Sequence, residues 1–220
     1  MVDNNSDTCG YHKGGRGRLF VLSAPSGGGK STLKDRVVHR LPGLVYSVSY
    51  TTRPPRPGEA DGRDYNFVSQ ERFQKMIDQG DFLEWAEVFG RFYGTGRAWV
   101  EERLNEGLDV LADLDVVGAA SVRKIMPEAV LIFLVPPTAA ELKRRLDLRQ
   151  TESIDEARLR LGRVRSEVAR RGLYDYLLVN DDLDKAVDEM TAIISEGRGC
   201  KMADSENFWP DFFNEGDEAL

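Results

Sequence analysis

The chain has 220 residues, 41% hydrophobic and 30% charged, with 37 acidic against 30 basic side chains and a formal net charge of −7. This length and apolar content fit one domain, or one domain with an insertion, and exclude a wholly disordered chain. The acidic balance argues against nucleic acid as a partner. The longest purely apolar run, residues 129–135, falls far short of the roughly 20 residues that span a bilayer, so no membrane association is expected.

Residues 1–18 are polar and glycine-rich, have no apolar signal core, and read as a flexible leader. The apolar run 19–22 predicts a buried strand, and after a glycine-rich turn residues 31–41 predict a helix stopped by Pro42-Gly43. Residues 45–50 predict a second strand. The stretch TTRPPRPGEADGRDYNF that follows cannot be a regular helix, with three prolines and two glycines. Further on, helices are predicted at 71–79, 98–105, 121–126, 138–148, 154–171 and 183–195, and strands at 82–89, 109–114, 129–135 and 176–179. Strands alternating with helices imply an α/β fold with a parallel sheet covered on both faces. The turn-rich part, 45–96, reads as an inserted subdomain. Residues 197–220 carry six acids, two bases and the aromatic cluster NFWPDFF, and are expected to form a mobile tail. The two cysteines, Cys9 and Cys200, lie in polar flanks and read as ordinary thiols of a reducing cytoplasm rather than a disulfide framework or a zinc site.

The sharpest motif is APSGGGKST, made of Ala24, Pro25, Ser26, Gly27, Gly28, Gly29, Lys30, Ser31 and Thr32. It matches the phosphate-binding P-loop pattern G-x-x-x-x-G-K-[ST], with Ala24 in place of the first glycine. The three glycines let successive N–H groups curl toward phosphate oxygens beside a helix N-terminus. Lys30 would then reach the β/γ-phosphates, and the Ser31 hydroxyl would ligate Mg²⁺. The motif alone leaves ATPase, GTPase and small-molecule kinase open. A second candidate anion site is the pair Arg53 and Arg56, stiffened by prolines and suited to a phosphate monoester, with Tyr65 and Tyr93 as possible hydroxyl donors. Taken alone, such an arginine–proline loop is as often merely solvated.

Together the phrases SAPSGGGKST, VSYTTRPPRPGEADGRDYNFV, FLEWAEVFGRFYGTG, LADLD, RRLDLR and VNDDLDKA resemble the guanylate kinase family, in family order, over residues 19–196. The resemblance implies a P-loop NTPase-type parallel sheet flanked by helices, an inserted GMP-binding subdomain (about 45–96) and a helical lid (about 141–171). It also implies transfer of the ATP γ-phosphoryl group to GMP, and to dGMP, in purine nucleotide metabolism, with ATP and GMP as partners and Mg²⁺ as the cofactor. Arg53, Arg56, Tyr65 and Tyr93 match the family's GMP-phosphate ligands, and Glu84 matches the carboxylate that reads guanine. Ser49 and Thr95 align as neighbouring polar contacts, and Glu59 and Asp115 as further acidic positions of the GMP site. Arg145, Arg149 and Arg160 match the lid arginines, and Asn180 the position that contacts the adenine of ATP.

Independently of the family, guanine offers N1–H and N2–H₂ donors on one edge, which a carboxylate such as Glu84 can accept. Asp113 ends an apolar strand, the usual place for an acid that holds the water shell of a metal beside a P-loop. Residues 141–171 carry ten bases against six acids, a local +4 in an acidic chain. Some positions depart from the family pattern: Val116 and Val117, the lid turn 147–150, and Tyr50, which replaces a smaller polar residue expected beside the GMP pocket. The alternative is a guanylate-kinase-like module that binds phosphopeptides without catalysis; the intact phosphate loop argues against it.

Overall fold

The computed structural model describes residues 15–25, 27–88, 90–147, 167, 170–196, 199, 201–206, 208 and 212. Strand β1 (Leu19–Ser23) leads through the glycine-rich turn into helix α1 (Lys30–Arg40). The strand expected over 45–50 is two strands in different sheets. β2 (Leu44–Tyr46) pairs in parallel with β7 (Asp109–Asp113), whereas β3 (Tyr50–Thr51) belongs to a second sheet. The break falls at the serines between them, where the Ser47 N–H still reaches the Leu111 carbonyl at 2.9 Å before the chain leaves the first sheet.

The first sheet also contains β8 (Val130–Val135) and β9 (Tyr176–Val179), in the order β2-β7-β1-β8-β9, every pairing parallel. Its strands are apolar throughout because both faces are covered. Side chains alternate across it: Leu19 and Val21 pack on one face with Val110, Leu131 and Phe133, while Phe20 and Leu22 pack on the other with Leu111, Ile132 and Leu134. Helices α3 (Arg97–Asn105) and α4 (Val116–Ile125) cover the first face through Val100, Leu104, Ala119 and Val122. The second face is covered by α1 through Leu33 and Val37, and by α6 (Leu183–Glu196) through Met190, Ile193 and Ile194. Lateral ion pairs from Arg36 to Asp184 and from Arg40 to Asp188 join α1 and α6.

Between β2 and α3 the second sheet runs in the order β4-β3-β6-β5, with β4 (Asn66–Phe67), β5 (Phe82–Val88) and β6 (Arg91–Gly96). Helix α2 (Gln70–Gln79) starts where Ser69 accepts the Arg72 N–H at 3.2 Å, and stops at Gly80, whose φ of 71° is left-handed. α2 covers one face of this sheet by stacking Phe73 on Phe82, with ring centroids 4.4 Å apart, and on Phe92 at 5.5 Å. The opposite face looks toward the carboxyl ends of the first sheet.

Three further expectations need correction. Helix α4 begins at Val116, five residues ahead of the expected 121, because the Asp115 carboxylate caps it and Gly118 does not break it. Tyr50 does not lie on the side where the pocket was expected. Successive strand residues point to opposite faces, and its ring lies over Gly96 and edge-on to Phe82, at 5.9 Å, on the α2 side. The described tail residues are not free of the body. Phe212 is fully buried and Met202 is buried, so aromatic and apolar burial docks them on the first sheet's α3–α4 face, while Lys201 sits over the ring of Tyr176 in the edge strand β9 at 3.7 Å.

The other expected elements are present to within a residue or two, including α5 (Ala139–Asp147), whereas β4 and β6 lie where no particular strand was expected. Most of the helix expected over 154–171 lies outside the described residues; at its end Arg171–Leu173 is a 3-10 turn. Among the described residues no helix is long and apolar enough to cross a membrane.

Candidate active site

β1 lies in the middle of the first sheet, so the turn after it opens at the carboxyl ends of the strands, where parallel sheets bind ligands. Gly27 and Gly29 have φ of 88° and 89°, a region closed to most side chains. Gly29 is the N-cap of α1, and the first turn of that helix contains no acidic residue. The positive end of α1 and its first N–H groups therefore stay available to an anion. Residues 24–25 and 27–32 enclose a hollow of about 200 Å³. Ala24 fits the motif for a local reason. Its Cβ lies 3.0 Å from where a Cβ on Gly28 would stand, so the bare Gly28 makes room for it. Ser26, the remaining loop residue of the motif, lies outside the described residues.

Two side chains brace this loop from outside. Asn180, 6% exposed just after β9, donates its amide to the Gly28 carbonyl at 2.9 Å. Arg145 on α5 donates to the Asn180 carbonyl at 2.9 Å and to Glu141 at 2.7 Å. Glu141 also receives Arg144, and these guanidiniums, Arg144 first, hold its carboxyl down at about 2. Of the three candidate lid arginines, Arg145 is thus beside the loop, and Arg149 and Arg160 lie outside the described residues.

Lys30, the first residue of α1, forms an ion pair with Asp113 at the end of β7. The neighbouring β1 and β7 place Leu22 opposite Asp113, which explains the meeting. From here a cleft of about 470 Å³ runs between the two sheets, with Lys30, Tyr46, Asp113 and Asp115 on one wall and Ser49, Arg53, Arg56, Tyr65, Glu84 and Tyr93 on the other. Tyr46 carries no motif and escaped the sequence reading. It comes from β2, and the Lys34 ammonium lies 3.9 Å above its ring. Burial, and then the Asp113 charge, push its hydroxyl well above the usual tyrosine range, so it stays a donor.

Not every candidate faces the cleft as a free group. Glu59 gives both carboxylate oxygens to Arg53, at 2.8 and 2.9 Å, and one of them also accepts the Arg56 N–H at 2.8 Å. That N–H, followed by the Arg53 guanidinium, holds its pKa below the usual carboxylate range. Glu59 thus orients the two arginines. Arg53 is further packed against the Tyr65 ring at 5.4 Å, and Tyr65 against Tyr93 at 5.9 Å. Asp115 uses Oδ1 to cap α4, accepting from Val117 at 2.9 Å and Gly118 at 2.7 Å. Thr95 is fully buried behind the wall and donates to Glu84 Oε1 at 2.7 Å.

Glu84 is the unusual group. Register shifts between Phe82 and Glu84, so that Phe82 pairs with Gly96 and Glu84 with Thr95, and Leu83 is the extra residue. Without this bulge, residues two apart would share a face, and Glu84 would point with Phe82 toward α2. With it, the carboxyl enters the cleft at 8% exposure. Burial raises its pKa to about 7, with the Thr95 hydrogen bond opposing and the Asp115 charge adding to the rise.

The sequence profile of the guanylate kinase family matches residues 16–197. The chain belongs to the guanylate kinase family. It is 47% identical over 186 residues to the guanylate kinase of Vibrio parahaemolyticus, covering 84% of this chain and 90% of that one. The guanylate kinase of Thermus thermophilus is 48% identical over 186 residues, covering 84% and 83% respectively. Among solved structures, guanylate kinase from Anaplasma phagocytophilum superposes with a TM-score of 0.68 at 35% identity, covering 82% of this chain and 85% of that one. A central parallel sheet flanked by helices is thus shared with a guanylate kinase structure.

Proposed function

We propose that the chain transfers the γ-phosphoryl group of ATP to GMP, giving ADP and GDP, with dGMP as a second acceptor. The observation that carries this reading is the single cleft that joins the Lys30–Asp113 pair to the Arg53–Arg56–Tyr65–Tyr93 wall and the buried Glu84. The loop from Ala24 to Thr32 takes the ATP phosphates through its N–H groups and the positive end of α1. Arg53 and Arg56, held by Glu59, take the GMP phosphate with Tyr65 and Tyr93. Glu84, when ionised, accepts guanine N1–H and N2–H₂, with Ser49 beside it. Adenine offers no such donor pair, and would leave the buried carboxylate unpartnered. In this reading the second sheet with α2 is the GMP-binding subdomain. The segment 141–171 is a lid that brings Arg145, Arg149 and Arg160 to the ATP phosphates.

The acceptor needs no general base, because a phosphate monoester with a second pKa near 6 is already largely dianionic at neutral pH. What the chain supplies is alignment of donor and acceptor and neutralisation of charge, by Lys30 on the transferred group and by the arginines on the two substrates. Closure of subdomain and lid excludes water, the competing acceptor. The residues present suit Mg²⁺. The Ser31 hydroxyl and the Asp113 carboxylate are hard oxygen donors at the loop, and the described residues contain no cluster of three metal-ligating side chains, so an ion there would draw on nucleotide phosphate and water as Mg²⁺ commonly does. When bound, the ion would neutralise charge between the β- and γ-phosphates. Location in the cytoplasm belongs to the same reading, since both substrates are nucleotides of the cell interior.

A coupled assay with GMP, dGMP, AMP and UMP as acceptors tests the proposal. GMP is expected to be the best acceptor, with dGMP accepted. Absence of GMP turnover, or a preference for AMP, would sink the reading. The phosphopeptide-binding alternative has no observation in its favour.

A further inference from the structure

Glu84 is placed by the bulge at Leu83 and by the Thr95 hydroxyl on Oε1, which leaves Oε2 to be located by something else. That something is the backbone of α4. A Cβ added to Gly118 would stand 2.8 Å from Glu84 Oε2 and 3.2 Å from its Cδ, with the Leu114 Cβ at 3.4 Å. Ordinary contact begins at about 3.4 Å, so the carboxylate rests against a space that only the absence of a side chain provides. Gly118 is not among the glycines with positive φ. It lies inside a helix, where glycine is a poorer helix former than alanine, so neither backbone conformation nor helix stability explains a glycine here. The turn that carries it is itself fixed, since Asp115 Oδ1 accepts the Gly118 N–H.

We propose that Gly118 is a positioning residue for base recognition, its bare Cα setting the depth at which the Glu84 carboxylate meets the guanine edge. This rests on the reading of Glu84 given above. A methyl group at 118 meets the far end of a flexible side chain rather than backbone. The helix survives, and Glu84 moves by roughly half an ångström or more, away from α4 and off the Thr95 hydroxyl. A displacement of that size is enough to weaken a pair of aligned hydrogen bonds by about tenfold or more.

The test is a double-mutant cycle in the full chain, with Gly118→Ala, Glu84→Ala and the double variant, reading KM for GMP and for ATP, the ratio of kcat/KM for GMP over IMP, and the thermal midpoint. IMP lacks the N2 amine and so reports the same edge. Gly118→Ala is expected to raise KM for GMP about tenfold or more, lower the GMP over IMP ratio, and leave KM for ATP unchanged. In the Glu84→Ala background the same substitution has nothing to displace, and is expected to leave both KM values unchanged and the midpoint no lower. If Gly118→Ala alone fails to fold while the double variant folds, the contact with Glu84 is equally supported. The proposal is overturned by a wild-type KM for GMP in Gly118→Ala, or by equal losses in both backgrounds, including failure to fold in both. The underlying reading has its own marker: Glu84→Ala must lose discrimination between GMP and IMP. Its failure to do so sinks both ideas, whereas loss there with a silent Gly118→Ala removes only the role of Gly118.

Discussion

On one side of the cleft the phosphate loop is built from nine consecutive residues, its shape set by two left-handed glycines and its charge by the end of α1. On the other, the second sheet assembles side chains from Arg53 to Tyr93. It first has to manage them, tying Arg53 to Glu59 and keeping Glu84 buried. Apart from Lys30, which pairs with Asp113, the loop therefore offers fixed dipoles that need no counter-ion. The sheet offers full charges that do, and its affinity depends on second partners and on pH. The difference teaches that a local motif draws most of its strength from its own backbone, braced at one carbonyl by Asn180, while a dispersed site is only as good as the residues behind it.

The largest expected effect tests the loop side. Lys30→Ala should reduce kcat by about 10³-fold with GMP binding retained, since one charge on the transferred group is lost. A comparable loss of GMP affinity would show that the two sides are not separable. Next, Arg53→Ala should raise KM for GMP by about 10²-fold, with less effect on KM for ATP. Glu59→Ala, although it removes no cation from the arginine pair, should also raise KM for GMP, by less. An unchanged KM in Glu59→Ala would remove the supporting role that distinguishes the sheet from the loop.

The third prediction concerns pH. Glu84 has a folded pKa of about 7, raised above the ordinary value of 4.5 by burial. A raised pKa means that the folded state holds its proton more tightly than the unfolded chain. The associated stability is complete below about 4.5 and is lost as pH rises through about 7, on the order of 3 kcal/mol. Denaturant unfolding between pH 5 and 8 should show this decline in the wild type and a flatter profile in Glu84→Gln. In the proposed reading guanine binds the ionised form, so GMP affinity should improve over the same interval more steeply than in Glu84→Gln, where only ionisation of the GMP phosphate, with its second pKa near 6, remains. Parallel pH profiles for the two proteins would overturn the assignment. The smallest effect returns to the loop. Asn180→Ala leaves the Gly28 carbonyl without its amide partner, and should raise KM for ATP by about tenfold while sparing KM for GMP.

Much of this was legible beforehand because it is local. The loop 24–32 declares itself through glycine spacing ahead of a helix, and Asp113 through its place at the end of an apolar run. Arg53 and Arg56 announce an anion site, but not that Glu59 is bound to them, since the loop brings its carboxylate back to them across prolines. Glu84 was found by family resemblance alone. Its direction follows from a bulge at Leu83, and a one-residue slip in pairing leaves no trace in composition. Tyr46 was missed because nothing marks it apart from any other strand residue, and Tyr50 was placed beside the pocket from the family pattern, which shows a position in the sequence but not the face of the strand it occupies. The tail was read as free because its acidic residues outweigh the few aromatics that bury.

By itself, then, the sequence determined the alternation of strands and helices, the glycine-rich loop motif and the excess of basic residues over 141–171, because each depends on neighbours within a few residues. Tertiary structure decided which acids are free and which are already engaged: Glu59 on Arg53, Asp115 on α4, Glu84 against Gly118. Charge state, reach and direction of these groups depend on burial and on partners from other elements, and those are settled only when the two sheets close on a common cleft.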